Sequence, residues 1–298
     1  MQSTFKIMTE YACDLPSDYM QQNDVLGMPI NFSINEKQYD DSFEHQINLH
    51  EFYQKLRSGS NSSTAQITPN SAKTIFEKQL SKGYDILYIG FSSGLSGGFQ
   101  SVCMAKSELQ EMYPNRKIIT IDSLCASLGQ GLLVDYAVKQ RDKFGDTKTI
   151  EEIAKMVEDI KMNVCHYFTV ADLHFLHRGG RVSKATAIVG SLLDIKPVMH
   201  VDNDGKLVPY GKVRGRKQSL IKLVARMGEK LSSYQNEYVF ISHGDCIEDA
   251  NFVANLVFEK YQIKAKIINA IGAVIGSHSG PDTIALFFIG TNRDEKPL

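Results

Sequence analysis

Gly94-Leu95-Ser96-Gly97-Gly98 matches the G-x-S-x-G pattern in which a hydrolase serine sits on a tight strand-to-helix turn. Such a nucleophile needs an acid and then a histidine later in the chain, and Asp245, Asp249 and His278 stand in that order. The same stretch, with Ser92, Ser93 and Ser96 among glycines, is equally suited to cradle an anion with hydroxyls and backbone N–H groups. Thr64 opens a second polar loop, Thr64-Ala65-Gln66-Ile67-Thr68. His278 stands in Gly276-Ser277-His278-Ser279-Gly280-Pro281, where glycine and proline predict an irregular backbone around a held side chain. Two further runs, Arg178-Gly179-Gly180-Arg181 and Val213-Arg214-Gly215-Arg216-Lys217, set glycine beside arginine, which lets the main chain approach an anion that the guanidinium pairs.

Other chemistries find no support. A P-loop needs a lysine after its last glycine, and none follows Gly97 or Gly98; a G-x-G-x-x-G run is missing as well. The pairs His174 and His177, or His45 and His50, lack the partners of a metal site. The five cysteines (Cys13, Cys103, Cys125, Cys165 and Cys246) are scattered, without a C-x-x-C pair, and fit buried thiols in a reducing compartment better than disulfides or zinc. No metal and no cofactor is expected.

The elements that position these residues alternate in the first half. Strands are expected at Phe5–Thr9, over an extended run Val25–Ile34, at Asp85–Gly90 and at Lys117–Ile121. Helices are expected after Asp14-Leu15-Pro16-Ser17, over Leu49–Leu56, from Thr68-Pro69 to Leu80, and over Phe99–Met112, Leu124–Arg141 and Thr149–Met162. This alternation predicts a parallel sheet covered by helices, with the serine loop beyond a strand's carboxyl end, where such sheets bind ligands. The second half reads as α+β. Strands Cys165–Val170, Ile195–Val201, Lys206–Val213, Tyr238–His243, Ala265–Asn269 and Thr283–Gly290 mix with helices Ala185–Leu193, Gln218–Leu231 and Ile247–Tyr261. Asp202-Asn203-Asp204-Gly205 predicts a hairpin turn.

Length and charge narrow the class. The 298 residues, 43% of them apolar, suffice for one large domain or two ordinary ones with a real core. A net charge of −1 lacks the footprint of a general nucleic-acid binder. Between Lys206 and Lys230, eight basic residues stand against the single acid Glu229, a run suited to an acidic partner or an anionic membrane surface. The N-terminus lacks the apolar core of a signal peptide, and the stretch Ile267 to Ile275 is too short to span a bilayer, so a cytoplasmic protein is expected.

Taken in order, the motifs resemble those of the DegV family of bacterial fatty-acid-binding proteins. Thr9-Glu10-Tyr11-Ala12-Cys13-Asp14-Leu15-Pro16 is similar to its T-D-S-x-x-D-L-P, and Ser93 to Ser101 to its S-S-x-L-S-G-T-Y-Q-S. Asp122-Ser123, Ser127 to Gly131, Gly179 to Ser183, Ile195-Lys196-Pro197, Asp204 to Leu207, Lys212 to Gly215 and His278 to Pro281 follow in family order. The resemblance implies a Rossmann-like α/β domain over residues 1–163 and an α+β domain with a mixed sheet over 164–298, with an acyl chain between them. It implies that Thr64 and Ser96 bind a long-chain fatty acid's carboxylate with His278 close by, and that Ser93, Gly97, Arg181 and Arg214 lie in the pocket or at its mouth. The implied role is the carrier subunit of fatty acid kinase: non-catalytic, and presenting the carboxylate to a separate kinase subunit for conversion to acyl phosphate on the way to phospholipid. A transient membrane or acyltransferase contact stays open, and an acyl-ester hydrolase using Ser96 is the alternative. Departures from the family pattern are Glu10-Tyr11 for D-S, Ala65 and Ile67 in the T-S-Q-P-S loop, Gly98 for threonine, and Asp282 for a second glycine.

Overall fold

The computed structural model describes residues 5–42, 47–183, 194–231 and 237–293. The chain opens with β1 (Phe5–Glu10), α1 (Ser17–Gln22) and β2 (Val25–Met28). The expected single run from Val25 to Ile34 is in fact two strands in different sheets. Pro29 has no N–H for a ladder, and the Ile30 N–H leaves the sheet to reach Asp41 Oδ1 at 2.5 Å. Beyond this break lie β3 (Asn31–Ile34) and β4 (Lys37–Asp40), joined by Asn35 and Glu36 at φ of 46° and 70°, a two-residue hairpin turn. Next come α2 (Leu49–Arg57), β5 (Ser62–Thr64) and α3 (Pro69–Leu80). A capping box between Thr68 and Ser71, with proline in the first turn, starts α3 where expected.

The half closes with β6 (Asp85–Gly90), α4 (Gly98–Met112), β7 (Ile118–Asp122), α5 (Leu128–Phe144) and α6 (Ile150–Ile160). α5 starts later than its apolar pattern suggests, because Leu124 and Ser127 take left-handed φ of 52° and 53° in the loop before it. The four parallel strands run in the order β2-β1-β6-β7. Order therefore reverses between β1 and β6, opening a crevice at their carboxyl ends, at Glu10 and Phe91. The order β4-β3-β5 forms a separate antiparallel sheet.

The second half contributes β8 (Val164–Thr169), α7 (His174–Arg178), β9 (Ile195–Val201), β10 (Leu207–Arg214) and α8 (Arg216–Lys230). It ends with β11 (Tyr238–His243), α9 (Ile247–Tyr261), β12 (Lys264–Ala270), α10 (Ala273–Ser279) and β13 (Ile284–Ile289). A mixed sheet ordered β10-β9-β8-β13-β11-β12 results, parallel only between β11 and β12. The expected helix Ala185–Leu193 lies outside the described residues. The α/β architecture, with a parallel sheet and a separate mixed one, matches the sequence expectation.

α5 lies between the two sheets and packs on β1, β6, β8, β11 and β13. The largest apolar cluster accordingly runs from Ile7 and Leu87 through Leu133 to Phe168, Phe240 and Phe287. Its buried Asp135 ties both halves together, accepting from Tyr19, Tyr238 and Lys266. α10 packs on α7 of its own half and also on the first half, with Ala273 and Val274 in one apolar cluster with Phe52 and Phe32.

Candidate functional site

A cavity of about 410 Å³ lies where the carboxyl ends of β1 and β6 meet β8, β13 and α10. Most of its wall is apolar, including Ile30, Phe168, Val201, Ile271, Val274 and Phe287. Its size and lining suit a mostly hydrocarbon ligand oriented by a few polar groups.

One corner gathers Thr64, Ser96, Gly97, Arg181, His278 and Ser279, while Glu10, Ser127, His166, Ser242 and Thr283 add polar groups elsewhere in the lining. Thr64 ends β5, and its Oγ1 shares a hydrogen bond of 2.8 Å with His278 Nε2. His278 lies on a helix, α10, and not on the irregular loop that its glycines suggested. Burial, followed by the nearby Arg181 charge, pushes the His278 imidazole down to about 4, so it is neutral at pH 7. Its Nδ1 and the Ser279 Oγ are buried without a hydrogen-bond partner among the described residues, a costly arrangement. Gly179 makes room for the ring, since a Cβ there would fall 2.1 Å from His278 Nδ1.

Ser96 precedes α4, and its Oγ accepts the Gly98 N–H at 3.1 Å, which leaves the hydroxyl proton free to donate. The first turn of this 15-residue helix adds a favourable field for an anion. Arg181 joins the two sides of the corner. Its Nε donates to Leu95 O at 3.1 Å, a second nitrogen donates to Gly179 O, and burial lowers its pKa. The second half also grips the serine loop from behind. Ser92 Oγ donates to Gly205 O at 2.7 Å in the β9–β10 turn, and a Cβ on Gly94 would strike Asp204 O at 2.3 Å.

The DegV family model matches residues 4–291 of this chain. The chain belongs to the DegV family. A DegV domain-containing protein of Clostridium perfringens is 40% identical over 290 residues, covering 97% of this chain and 99% of that one. Among solved structures, a stearic-acid-binding protein from Eubacterium ventriosum superposes with a TM-score of 0.87 at 26% identity, covering 96% of this chain and 98% of the other. The fatty-acid-binding DegV of Bacillus subtilis gives 0.83 at 28% identity, covering 97% and 100%.

Within this DegV fold, five of the seven residues singled out from sequence, Thr64, Ser96, Gly97, Arg181 and His278, meet at the cavity. Ser93 and Arg214 are not among its lining. The Ser93 N–H caps Asp122 Oδ1 at 3.2 Å, and the Arg214 side chain is 84% exposed, with Asp194 at 3.7 Å. The hydrolase constellation is not assembled. Asp245 pairs with Arg57 and His50, Asp249 pairs with Arg216, and His278 Nε2 faces Thr64. The basic run also breaks up: Arg226 is buried over the Tyr210 ring, Lys230 is buried against Asn292, and Arg216 is held by Asp249.

The departures from the DegV pattern have local reasons. Asp282 has a left-handed φ of 58°, the backbone glycine tolerates, and here the carboxylate is anchored by Arg57 at 2.8 Å. Ile67 is buried against the core around Met28 and Phe76. Gly98 has room for a side chain, the nearest atom to a Cβ being Ser96 Oγ at 3.4 Å. Ser279 and Glu10, both in the cavity wall, escaped sequence reasoning, although Glu10 ends a strand beside the reversal point. Among the described residues, no cluster of metal-ligating side chains occurs, and no helix is long and apolar enough to cross a membrane.

Proposed function

We propose that the cavity holds a long-chain fatty acid whose carboxylate sits at the Thr64, Ser96 and Ser279 hydroxyls beside neutral His278. The observation that carries this reading is an apolar cavity of about 410 Å³ ending in buried, underused polar atoms. Fatty-acid-binding relatives of the same fold support it. Each buried methylene contributes about 0.8 kcal/mol, so the tail supplies affinity while the corner supplies orientation. Hydroxyl donors hold the head group without a fully buried salt bridge, whose desolvation is costly.

In this proposal residues 1–163 and 164–298 are two domains closed on the acyl chain, and the protein is a cytoplasmic, non-catalytic carrier. It presents the carboxylate to a separate kinase, which transfers a phosphoryl group from ATP to a carboxylate oxygen and leaves an acyl phosphate and ADP. Arg181 at the corner and exposed Arg214 are the cations proposed to face that partner. Native mass spectrometry of the protein purified from cells tests the reading: a co-purified acyl chain is expected. A ligand-free protein that also fails to bind added fatty acid would overturn it.

A further inference from the structure

Asp14 does not line the cavity, yet it ties together three segments that do, at Ser127, Ser242 and Ile271. Its side chain is buried at the seam between the two halves. Oδ1 accepts the Gly272 N–H at 2.9 Å, and Oδ2 accepts the Ser127 hydroxyl, which lies 3.0 Å from Ser242 Oγ on β11. The Asp14 carbonyl accepts Asn269 Nδ2 at 2.8 Å. A left-handed φ of 56°, which aspartate tolerates, aims the side chain there after the one-turn helix Tyr11–Cys13.

Gly272 is where α10 starts, and it has no side chain to cap that helix. Asp14 supplies an acceptor from the other half instead. From there the helix carries any displacement to the head-group corner. The Gly276 N–H donates to Gly272 O at 2.8 Å and the Gly280 N–H to Gly276 O at 2.9 Å, a line of bonds over the seven residues of α10. His278 and Ser279 are its last two residues, and at 1.5 Å per residue His278 stands about 9 Å along the axis from Gly272. An N–H stripped of its acceptor costs free energy unless the backbone moves to find another, and movement here is movement of the corner.

We propose that Asp14 is a positioning residue: acting through α10, it sets where His278 and Ser279 meet the ligand's carboxylate. This rests on the fatty-acid reading of the cavity and adds a residue, remote from the ligand, on which head-group recognition depends. An amide should serve nearly as well as the acid. Its oxygen can accept the Gly272 N–H while its NH2 donates to Ser127 Oγ. Burial already pushes the Asp14 carboxyl up to about 7, towards the neutral form that an amide resembles.

The test compares myristate with tetradecan-1-ol, which share a tail length and differ in the head group, by displacement of a bound fluorescent fatty acid. The natural protein should prefer the acid. In Asp14→Ala that preference, read as the ratio of the two Kd values, should fall about fivefold, the scale of one hydrogen bond, while the alcohol binds within about twofold of its natural affinity. Asp14→Asn should keep the preference. Gly272→Ala approaches the contact from the other side: its φ of −64° suits alanine, but the Cβ would fall 2.9 Å from Asp14 Oδ1. It should lower the ratio as well, and it decides if Asp14→Ala does not fold. A ratio unchanged in Asp14→Ala, or equal losses for acid and alcohol, would overturn the proposal and leave fatty-acid binding intact. So would an Asp14→Asn protein as poor as the alanine one. A natural protein that binds neither ligand overturns both readings, and one that binds them equally removes the head-group corner itself.

Discussion

Thr64 Oγ1 and His278 Nε2 are hydrogen-bonded at 2.8 Å although 214 residues separate them in the chain. The contact joins the short antiparallel sheet of the first half to a helix of the second. It fixes the ring orientation that turns Nδ1 towards Gly179, where it has no hydrogen-bond partner among the described residues. The proposed head-group corner is therefore built from both halves at once.

Removing either hydroxyl should weaken binding without unfolding the protein. Thr64→Ala and Ser96→Ala are each expected to cost about 1 kcal/mol, or roughly fivefold in Kd, with more where the carboxylate loses its last donor. Isothermal titration with stearate reads this directly. An unchanged Kd in both variants would move the carboxylate elsewhere.

Gly179 offers a steric test of the histidine's position. Its φ of −75° is acceptable to alanine, so only the 2.1 Å approach of a Cβ to His278 Nδ1 opposes the substitution. Gly179→Ala should displace the ring from Thr64 and reduce affinity by about tenfold, the scale of overpacking a tight site. The melting temperature should change little. Unaltered affinity would show that the ring's position is unimportant to the ligand.

Asp14 predicts a pH dependence of stability. Burial pushes its carboxyl up to about 7, against lesser lowering by hydrogen bonds from Ser127 and the Gly272 N–H. The folded state therefore holds this proton over a range where the unfolded chain has lost it. Its stabilising effect is complete below about pH 4 and is lost as pH rises towards 7. His278, with its pKa depressed, acts in the opposite sense: its contribution is full above about pH 6.5 and is lost as pH falls towards 4. Urea unfolding at pH 5 and pH 7.5 should show Asp14→Asn gaining on the natural protein at the higher pH. A constant difference between the two pH values would remove the assignment.

The Arg57 to Asp282 pair makes a paired prediction. Asp282→Ala keeps the left-handed backbone and loses the anchor, and should destabilise by about 1 kcal/mol. Asp282→Gly relieves the backbone as it loses the anchor, and should fall within about 0.5 kcal/mol of the natural protein. Equal losses in both would show that the ion pair, not the φ of 58°, dominates.

Much of the fold was legible because local signals and tertiary demands agree. Thr68-Pro69, the alternation of strand and helix, and Asp202-Asn203-Asp204-Gly205 each act within a few residues, and α3, the parallel sheet and the β9–β10 hairpin follow. Legibility failed where glycine served packing. Gly276 reads as a loop residue, yet it sits inside α10, where a Cβ would meet Tyr53 Oη at 2.5 Å. The glycine there permits a close helix approach, which no local pattern reveals. Pro29 was a local signal of the opposite kind, because one missing N–H divides two sheets. Arg226 reads as part of a basic run suited to an acidic partner, but its guanidinium stacks 3.7 Å from the centre of the Tyr210 ring on β10. Ser279 was hidden because an unsatisfied hydroxyl is a property of the assembled wall.

The grip of the β9–β10 turn on the serine loop has a consequence for how a ligand would leave the cavity. Val201 and Leu207, at the two sides of that turn, line the cavity, and the turn itself holds Ser92 and crowds Gly94, just before Ser96. Lifting the hairpin would bare the tail and slacken the head-group corner in one movement. For the proposed fatty-acid ligand, release would then be concerted: the tail could not be bared at this seam while the carboxylate stays firmly held.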